Sequence, residues 1–274
     1  MMTAWSPHSA AATARPPFSD PAPSLKEDAA TLDLYALDTP VQLHLTGERV
    51  GEFASQLRAL WARCIPGGTP SLEPSAIHWD TGEDTRPVGE QPELTRQITL
   101  ALIKTQVGKL LMLHAGAVCH PDTGEAIAYA AAGGTGKTTL TRLLASRMGY
   151  LTDETVGLRA DGSIAAYPKP LSVRTGPHDK REYSPDELGL IGAHPKPRLH
   201  RLALLCRDGG PLRVERVSLT EAVLALAPET SSMDRLPRPL HWLARLYDDL
   251  GGVVRYRYGE ASDVASHIWE EFGC

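Results

Sequence analysis

The sequence predicts an α/β fold, with a small α+β region ahead of its core and helices after it. Three observations carry that prediction. A glycine-rich run, Ala131-Ala-Gly-Gly-Thr-Gly-Lys-Thr138, lies between a strand-like segment and a helix-like one. Two apolar runs ahead of it flank a turn signal, His120-Pro-Asp-Thr-Gly124. A second short strand follows the helix and ends on two adjacent acids, Asp153-Glu154.

The elements follow in chain order. Residues 1–30 are rich in Ala, Pro and Ser, carry no periodic apolar face and are expected to be disordered. Residues 31–109 form the α+β region. Val41–Thr46 alternates as a strand, and Phe53, Leu57, Leu60 and Trp61 recur at helical spacing. Ala76–Trp79 is a short strand, and Leu94–Lys109 a second amphipathic helix. Residues 110–274 are expected to form the main domain. Leu110–Cys119 and Ala126–Ala131 are expected to pair as an antiparallel hairpin across the His120–Gly124 turn. Lys137–Met148 is a helix with Leu140, Leu143 and Leu144 on one face, and Gly149 closes it. Tyr150–Thr152, Ile164–Tyr167 and Leu171–Arg174 are short strands. Arg201–Cys206 and Arg213–Val217 are expected to pair with each other. Thr220–Leu226, Leu240–Leu250 and Ala261–Phe272 are helices, with a strand, Val253–Tyr258, between the last two.

Composition narrows the function classes. The 274 residues are 42% hydrophobic and 22% charged, which supplies a sizeable core. A net charge of −5 argues against a global grip on nucleic acid. No apolar stretch approaches the roughly 20 residues of a membrane span. The start lacks the basic and apolar regions of a signal peptide. Cys64, Cys119, Cys206 and Cys274 are dispersed, which fits a reducing compartment. A cytoplasmic location without a membrane or nucleic-acid partner is the expectation.

Phosphate chemistry explains the glycine-rich run. Gly133, Gly134 and Gly136 let the backbone curl until successive N–H groups aim at phosphate oxygens. Lys137 reaches terminal phosphates, and the Thr138 hydroxyl ligates magnesium. The helix N-terminus adds its dipole. Ala131 replaces the first glycine of the strict pattern and is tolerated at a strand end. Gly133, Gly134, Thr135, Gly136, Lys137, Thr138 and Thr139 are therefore the candidate nucleotide-binding residues, with a nucleoside triphosphate and Mg²⁺ implied and the base left open.

Asp153-Glu154 is expected beside this loop, at the carboxyl edge where ligands of such sheets bind. One carboxylate suits a magnesium ion and the other suits a proton leaving an attacking hydroxyl. His114 stands inside an apolar strand. On chemistry alone, such a histidine is more often a satisfied structural residue.

Together, Leu113-His-Ala-Gly-Ala-Val118, the hairpin, Ala131–Thr139 and Leu151-Thr-Asp-Glu-Thr-Val156 resemble HPr kinase/phosphorylase and its relatives. That fold is shared with ATP-dependent phosphoenolpyruvate carboxykinase. The likeness runs from Leu110 to Ser172. It implies that Lys137 and Thr138 hold phosphate and magnesium, and that His114 lies by the phosphate site. Asp153-Glu154 stands where the family has an Asp-Asp pair, whose second member is the base toward a serine. Glutamate at that second position leaves open which of the two is the base here. The nearest match to the family's downstream magnesium-binding glutamate is Glu187, in Asp186-Glu-Leu-Gly-Leu-Ile-Gly192. The segment Tyr167-Pro-Lys-Pro-Leu-Ser-Val-Arg174 is similar to a stretch of HPr-kinase-related proteins, some of which phosphorylate a peptide serine. Lys169, Arg174, Lys180 and Arg181 form a basic strip there, suited to phosphate or to an acidic substrate.

The resemblance thus implies an ATP- and Mg²⁺-dependent kinase, with a protein or peptide serine or threonine hydroxyl as acceptor. Relatives form rings, so a homo-oligomer is compatible with it. A small-metabolite kinase and a non-catalytic nucleotide sensor or scaffold stand as alternatives, and the acceptor and any reverse phosphorolysis stay open.

Overall fold

A computed structural model describes residues 29–68, 72–82, 86–176 and 180–274. All of the expected N-terminal tail but Ala29 and Ala30 lies outside these residues. Ala29 already belongs to strand β1 (Ala29–Ala36), which pairs antiparallel with β2 (Thr39–Thr46). Helix α1 (Val50–Leu60) follows, then β3 (Ser75–Asp80), which runs parallel to β2, and α2 (Pro92–Gln106). Leu32, Leu34, Leu43, Leu45 and Ile77 of the sheet pack with Phe53, Leu57, Ile98 and Leu102 of the helices. The alternation along β1 and β2 turns these leucines inward together.

The β1–β2 turn is Leu37-Asp38, with both residues at positive φ, 46° and 57°. Glycine or asparagine is the usual occupant of such a turn. Tertiary contacts hold leucine there instead. The Leu37 side chain is fully buried, and its N–H donates to the Ala166 carbonyl at 3.0 Å. Arg159 donates to both Asp38 carboxylate oxygens, at 2.6 and 2.7 Å.

Strands β4 (Leu111–Cys119) and β5 (Glu125–Ala130) form the expected antiparallel hairpin. Helix α3 (Lys137–Leu144) ends a turn before the expected boundary, and the chain relaxes into shorter-range bonds at Ser146 and Arg147. Next come β6 (Gly149–Thr152), β7 (Thr155–Leu158), β8 (Ile164–Ala165), β9 (Leu171–Arg174) and β10 (Lys180–Tyr183). The chain ends with β11 (Arg198–Arg207), β12 (Arg213–Val217), α4 (Leu219–Leu226), β13 (Thr230–Ser231), α5 (Pro239–Asp249), β14 (Val253–Tyr258) and α6 (Ala261–Phe272).

Nine strands make the main sheet, in the order β12-β14-β11-β5-β4-β7-β8, with β6 and β13 also paired to β4. β5, β11 and β14 are mutually parallel. The expected β11–β12 pair does not form, because β14 lies between them, parallel to β11 and antiparallel to β12. β14 buries Val253, Tyr256 and Tyr258, whereas the charged run Arg213-Val-Glu-Arg-Val217 suits a sheet edge. Helices α3 and α6 cover one face and α4 and α5 the other. The chain is thus a mixed α/β protein. No helix among the described residues is long and apolar enough to cross a membrane.

The middle of β4 positions the site. On one side its C-terminal half pairs with β5 and its N-terminal half with β13; on the other side the same halves pair with β6 and β7. Both neighbours break near Ala115. The glycine-rich loop leaves the sheet through one break, and Asp153-Glu154 bends through the other. Gly116 adjoins this point. A Cβ there would lie 2.3 Å from the Tyr129 ring and 2.7 Å from Thr141 Oγ1, so glycine is what lets α3 approach the sheet.

Candidate functional site

The loop backbone is built to present donors. Gly134 and Gly136 take positive φ, 83° and 103°. Thr135 caps the turn inward, its hydroxyl donating to the Ala132 carbonyl at 2.7 Å. Tyr258 pins the outer side by donating to the Thr135 carbonyl at 3.1 Å. The N–H groups of Gly133, Gly134, Gly136, Lys137, Thr138 and Thr139 donate to no acceptor among the described residues. The Lys137 side chain is buried and folds back so that its ammonium donates to the Ala131 carbonyl.

Asp153 faces this loop. The Thr138 hydroxyl donates to Asp153 Oδ2 at 2.9 Å. Its other oxygen, Oδ1, accepts from Tyr150 Oη at 3.4 Å and from Lys169 Nζ at 3.2 Å. The main chain holds Glu154 from beneath: its N–H donates to Thr152 Oγ1, and its carbonyl accepts from Ala115 N. His114 Nδ1 lies 3.1 Å from that same carbonyl, with its ring exposed toward the pocket.

Lys169 departs from the exposed strip of the sequence reading. Its side chain is 4% exposed, and its ammonium meets Asp153 Oδ1, Glu154 Oε2 at 3.1 Å and the Pro170 carbonyl at 2.8 Å. An ammonium has three donors, and three acceptors surround it. Glu154 Oε1 is left without a hydrogen-bond partner among the described residues, and the Glu154 side chain is 35% exposed.

These groups line one open pocket of about 710 Å³ with His114, Arg142, Asp153, Glu154, Ser172, Arg174, Lys180 and Arg207. Arg174 and Lys180 are therefore at its mouth. Arg181 is not among its lining residues and instead stacks over the Tyr183 ring. Glu187 also lies outside: its carboxylate accepts from the Ser184 N–H at 2.8 Å, and its own N–H donates to Ser184 Oγ. That local turn already uses the Glu187 side chain. Among the described residues no group of three or more His, Cys, Asp or Glu is arranged around one point, so a cation here would draw on Thr138 and Asp153 with non-protein oxygens.

No family model matches the chain, and neither does any curated protein. Among solved structures the chain is similar to the Hpr(Ser) kinase/phosphatase from Coxiella burnetii, at 13% identity and a TM-score of 0.29, over 58% of this chain and 97% of that one. At that TM-score the likeness carries no argument.

Electrostatics ties the site together. Burial pulls the Lys137 ammonium below its ordinary value, against Glu229, Asp153 and Glu154, which pull it up. Burial also works against the Lys169 charge, but Asp153, Glu154 and Glu182 outweigh it and raise Lys169 above the usual lysine range. Glu182 was not anticipated from sequence. It is buried on β10, accepts a 2.6 Å bond from the Thr95 hydroxyl of α2, and is raised by burial. Arg142 and Arg207 were also missed. Spacing alone offered a signal for Arg142, since it stands four residues after Thr138 on the same helix face.

Proposed function

We propose that this protein is an ATP- and Mg²⁺-dependent phosphotransferase that delivers the γ-phosphoryl group to a hydroxyl, a serine or threonine of a protein or peptide. The observation that carries the reading is the 2.9 Å bond from the Thr138 hydroxyl to Asp153, set beside a glycine loop and helix start whose six N–H groups meet no acceptor among the described residues. A hydroxyl and a carboxylate meeting at the start of a helix are a donor set for magnesium bound to phosphate oxygens. Free amides, a helix N-terminus and a lysine supply the complement to a triphosphate. The residues therefore fit Mg–ATP.

Each residue has a part. The loop amides and Lys137 bind the phosphates and take up negative charge that grows on the leaving oxygen. Thr138 and Asp153 would hold a magnesium ion, which would supply charge neutralisation for the phosphates. Glu154 Oε1 accepts the proton of the acceptor hydroxyl. As the acceptor oxygen bonds to the γ-phosphorus, the bond from phosphorus to the β–γ bridging oxygen breaks, and ADP leaves with that electron pair. Lys169 holds Glu154 Oε2 and Asp153 Oδ1, so it orients the acids and does not touch the substrate. His114 adds a donor near the transferred group.

Mass spectrometry tests the reading on the full chain, incubated with Mg–ATP and a panel of serine and threonine peptides. Phosphopeptide should form, and Glu154→Gln should slow it roughly 10²–10⁴-fold while nucleotide still binds. Nucleotide binding with no transfer to any peptide, sugar or free serine would replace the kinase with a nucleotide sensor.

A further inference from the structure

We infer that the mouth of the pocket is an anion-reading rim, made by Arg142, Arg174 and Lys180, which selects acceptor segments bearing carboxylates or phosphates beside the reacting hydroxyl. The inference rests on the phosphotransferase reading and adds the acceptor's chemical class.

The first observation is a like-charge pair. Arg174 and Lys180 are register partners across β9 and β10. Directly opposed residues point to the same face with Cβ atoms about 5 Å apart, and like charges there are destabilising. The fold keeps the hairpin nonetheless. It anchors β10 by burying Glu182 against Thr95 and by packing Gly89 so close that a Cβ would lie 2.6 Å from the Glu182 carbonyl.

The second observation comes from accounting for the pocket's other cations. Lys137 is turned into the loop, and Lys169 is saturated by Asp153, Glu154 and Pro170. Arg207 donates to the Gly259 carbonyl at 2.9 Å and lies 3.8 Å from Glu260. Arg142, Arg174 and Lys180 remain: they line the pocket, are exposed, and have no carboxylate within ion-pair distance among the described residues. In a chain of net charge −5, three cations at one mouth with no carboxylate partner among the described residues form a local focus for anions.

Their placement favours the acceptor over the nucleotide. The loop amides and Lys137 already serve a triphosphate. The rim hairpin starts two residues after Lys169, which holds Glu154, so it borders the side of the pocket where a hydroxyl must reach Glu154 Oε1. β9 also packs beside α3, which brings Arg142 to the same mouth from across the loop.

The test uses the full chain and fluorescein-labelled serine peptides of one length, flanked by Asp/Glu, by phosphoserine, or by Asn/Gln. Anisotropy is read with and without Mg²⁺ and a non-hydrolysable ATP analogue, at two salt concentrations. The anionic peptides should bind roughly fivefold or more tightly than the amide peptide, with the gap shrinking as salt rises. Arg174→Ala with Lys180→Ala should erase the preference and leave the analogue's affinity within about twofold, as expected when rim charges act on the partner alone. Both sites are exposed, so folding is retained. Equal binding of all peptides by the wild type would overturn the rim. So would a double variant that loses analogue affinity while keeping the peptide preference. Failure of the phosphotransferase reading registers separately, as absent Mg²⁺-dependent analogue binding by the wild type.

Discussion

Two tight turns, each with residues at positive φ, show opposite designs. The Leu37-Asp38 turn places a leucine in the left-handed region, and tertiary contacts hold it there. Leu37 is buried and its N–H is bonded, and Arg159 grips the Asp38 carboxylate from both sides. The loop from Ala131 to Thr138 does the reverse. It uses glycine where φ turns positive, so its backbone is relaxed, and together with Thr139 it leaves six N–H groups without acceptors among the described residues. A strained turn held by a buried side chain and an ion pair is architecture. A relaxed turn whose donors face solvent is open to a partner outside the chain. The second pattern is the one a binding site needs, whereas strain alone would point to the other turn.

Mutations can break this comparison, and the largest effect is expected at the acids. Lys169→Met removes the cation between Asp153 and Glu154 and leaves two carboxylates facing each other in a poorly solvated place. Breaking a buried pair in this way costs about 3–5 kcal/mol. Chemical denaturation should show that loss, and adding Asp153→Asn should recover part of it. Strictly additive losses would mean that Lys169 is not the tie between them.

Leu37→Ala comes next. It keeps the left-handed backbone and removes a fully buried side chain, for a loss of about 2–5 kcal/mol. Nucleotide affinity should stay within about twofold, since the turn only supports the architecture. A larger change in affinity than in stability would merge the two turns into one functional unit.

Gly136→Ala sharpens the other side. The added Cβ meets nothing closer than the Tyr258 hydroxyl at 3.9 Å, so its penalty comes from φ of 103° alone. Stability should fall by about 1–2 kcal/mol, while nucleotide binding falls by more than that, because the amide array is displaced. Thermal melts with and without Mg–ATP measure both. If the variant loses stability and keeps full ligand stabilisation, the loop amides are not the binding groups.

Much of this was legible in the sequence because it was local. The hairpin β4–β5, the loop and α3 follow from a turn signal, three glycines and a helical repeat within about thirty residues, a span in which neighbours dictate the structure. The Asp153-Glu154 position beside the loop followed from the same run. Features set by distant partners were not legible. β12 reads as a partner for β11, but which strand holds the edge depends on β14, some forty residues further along. β1 was hidden by the Ala- and Pro-rich stretch before it. β10, Lys-Arg-Glu-Tyr, shows no apolar alternation because it covers a polar site. Lys169 reads as a surface charge in a Pro-Lys-Pro segment. Its burial follows from two acids on another strand and from Glu182 on β10. Only the folded chain brings them together.

The measurement that tests the central claim most directly is calorimetric titration of the full chain with ATP and with ADP, with and without Mg²⁺, for wild type and Lys137→Ala. The wild type should bind ATP in a Mg²⁺-dependent way, and the variant should lose more affinity for ATP than for ADP, since the lysine reaches the terminal phosphate. Absence of binding, or equal affinities in the two proteins, would contradict the assignment of the loop and with it the proposed phosphotransfer.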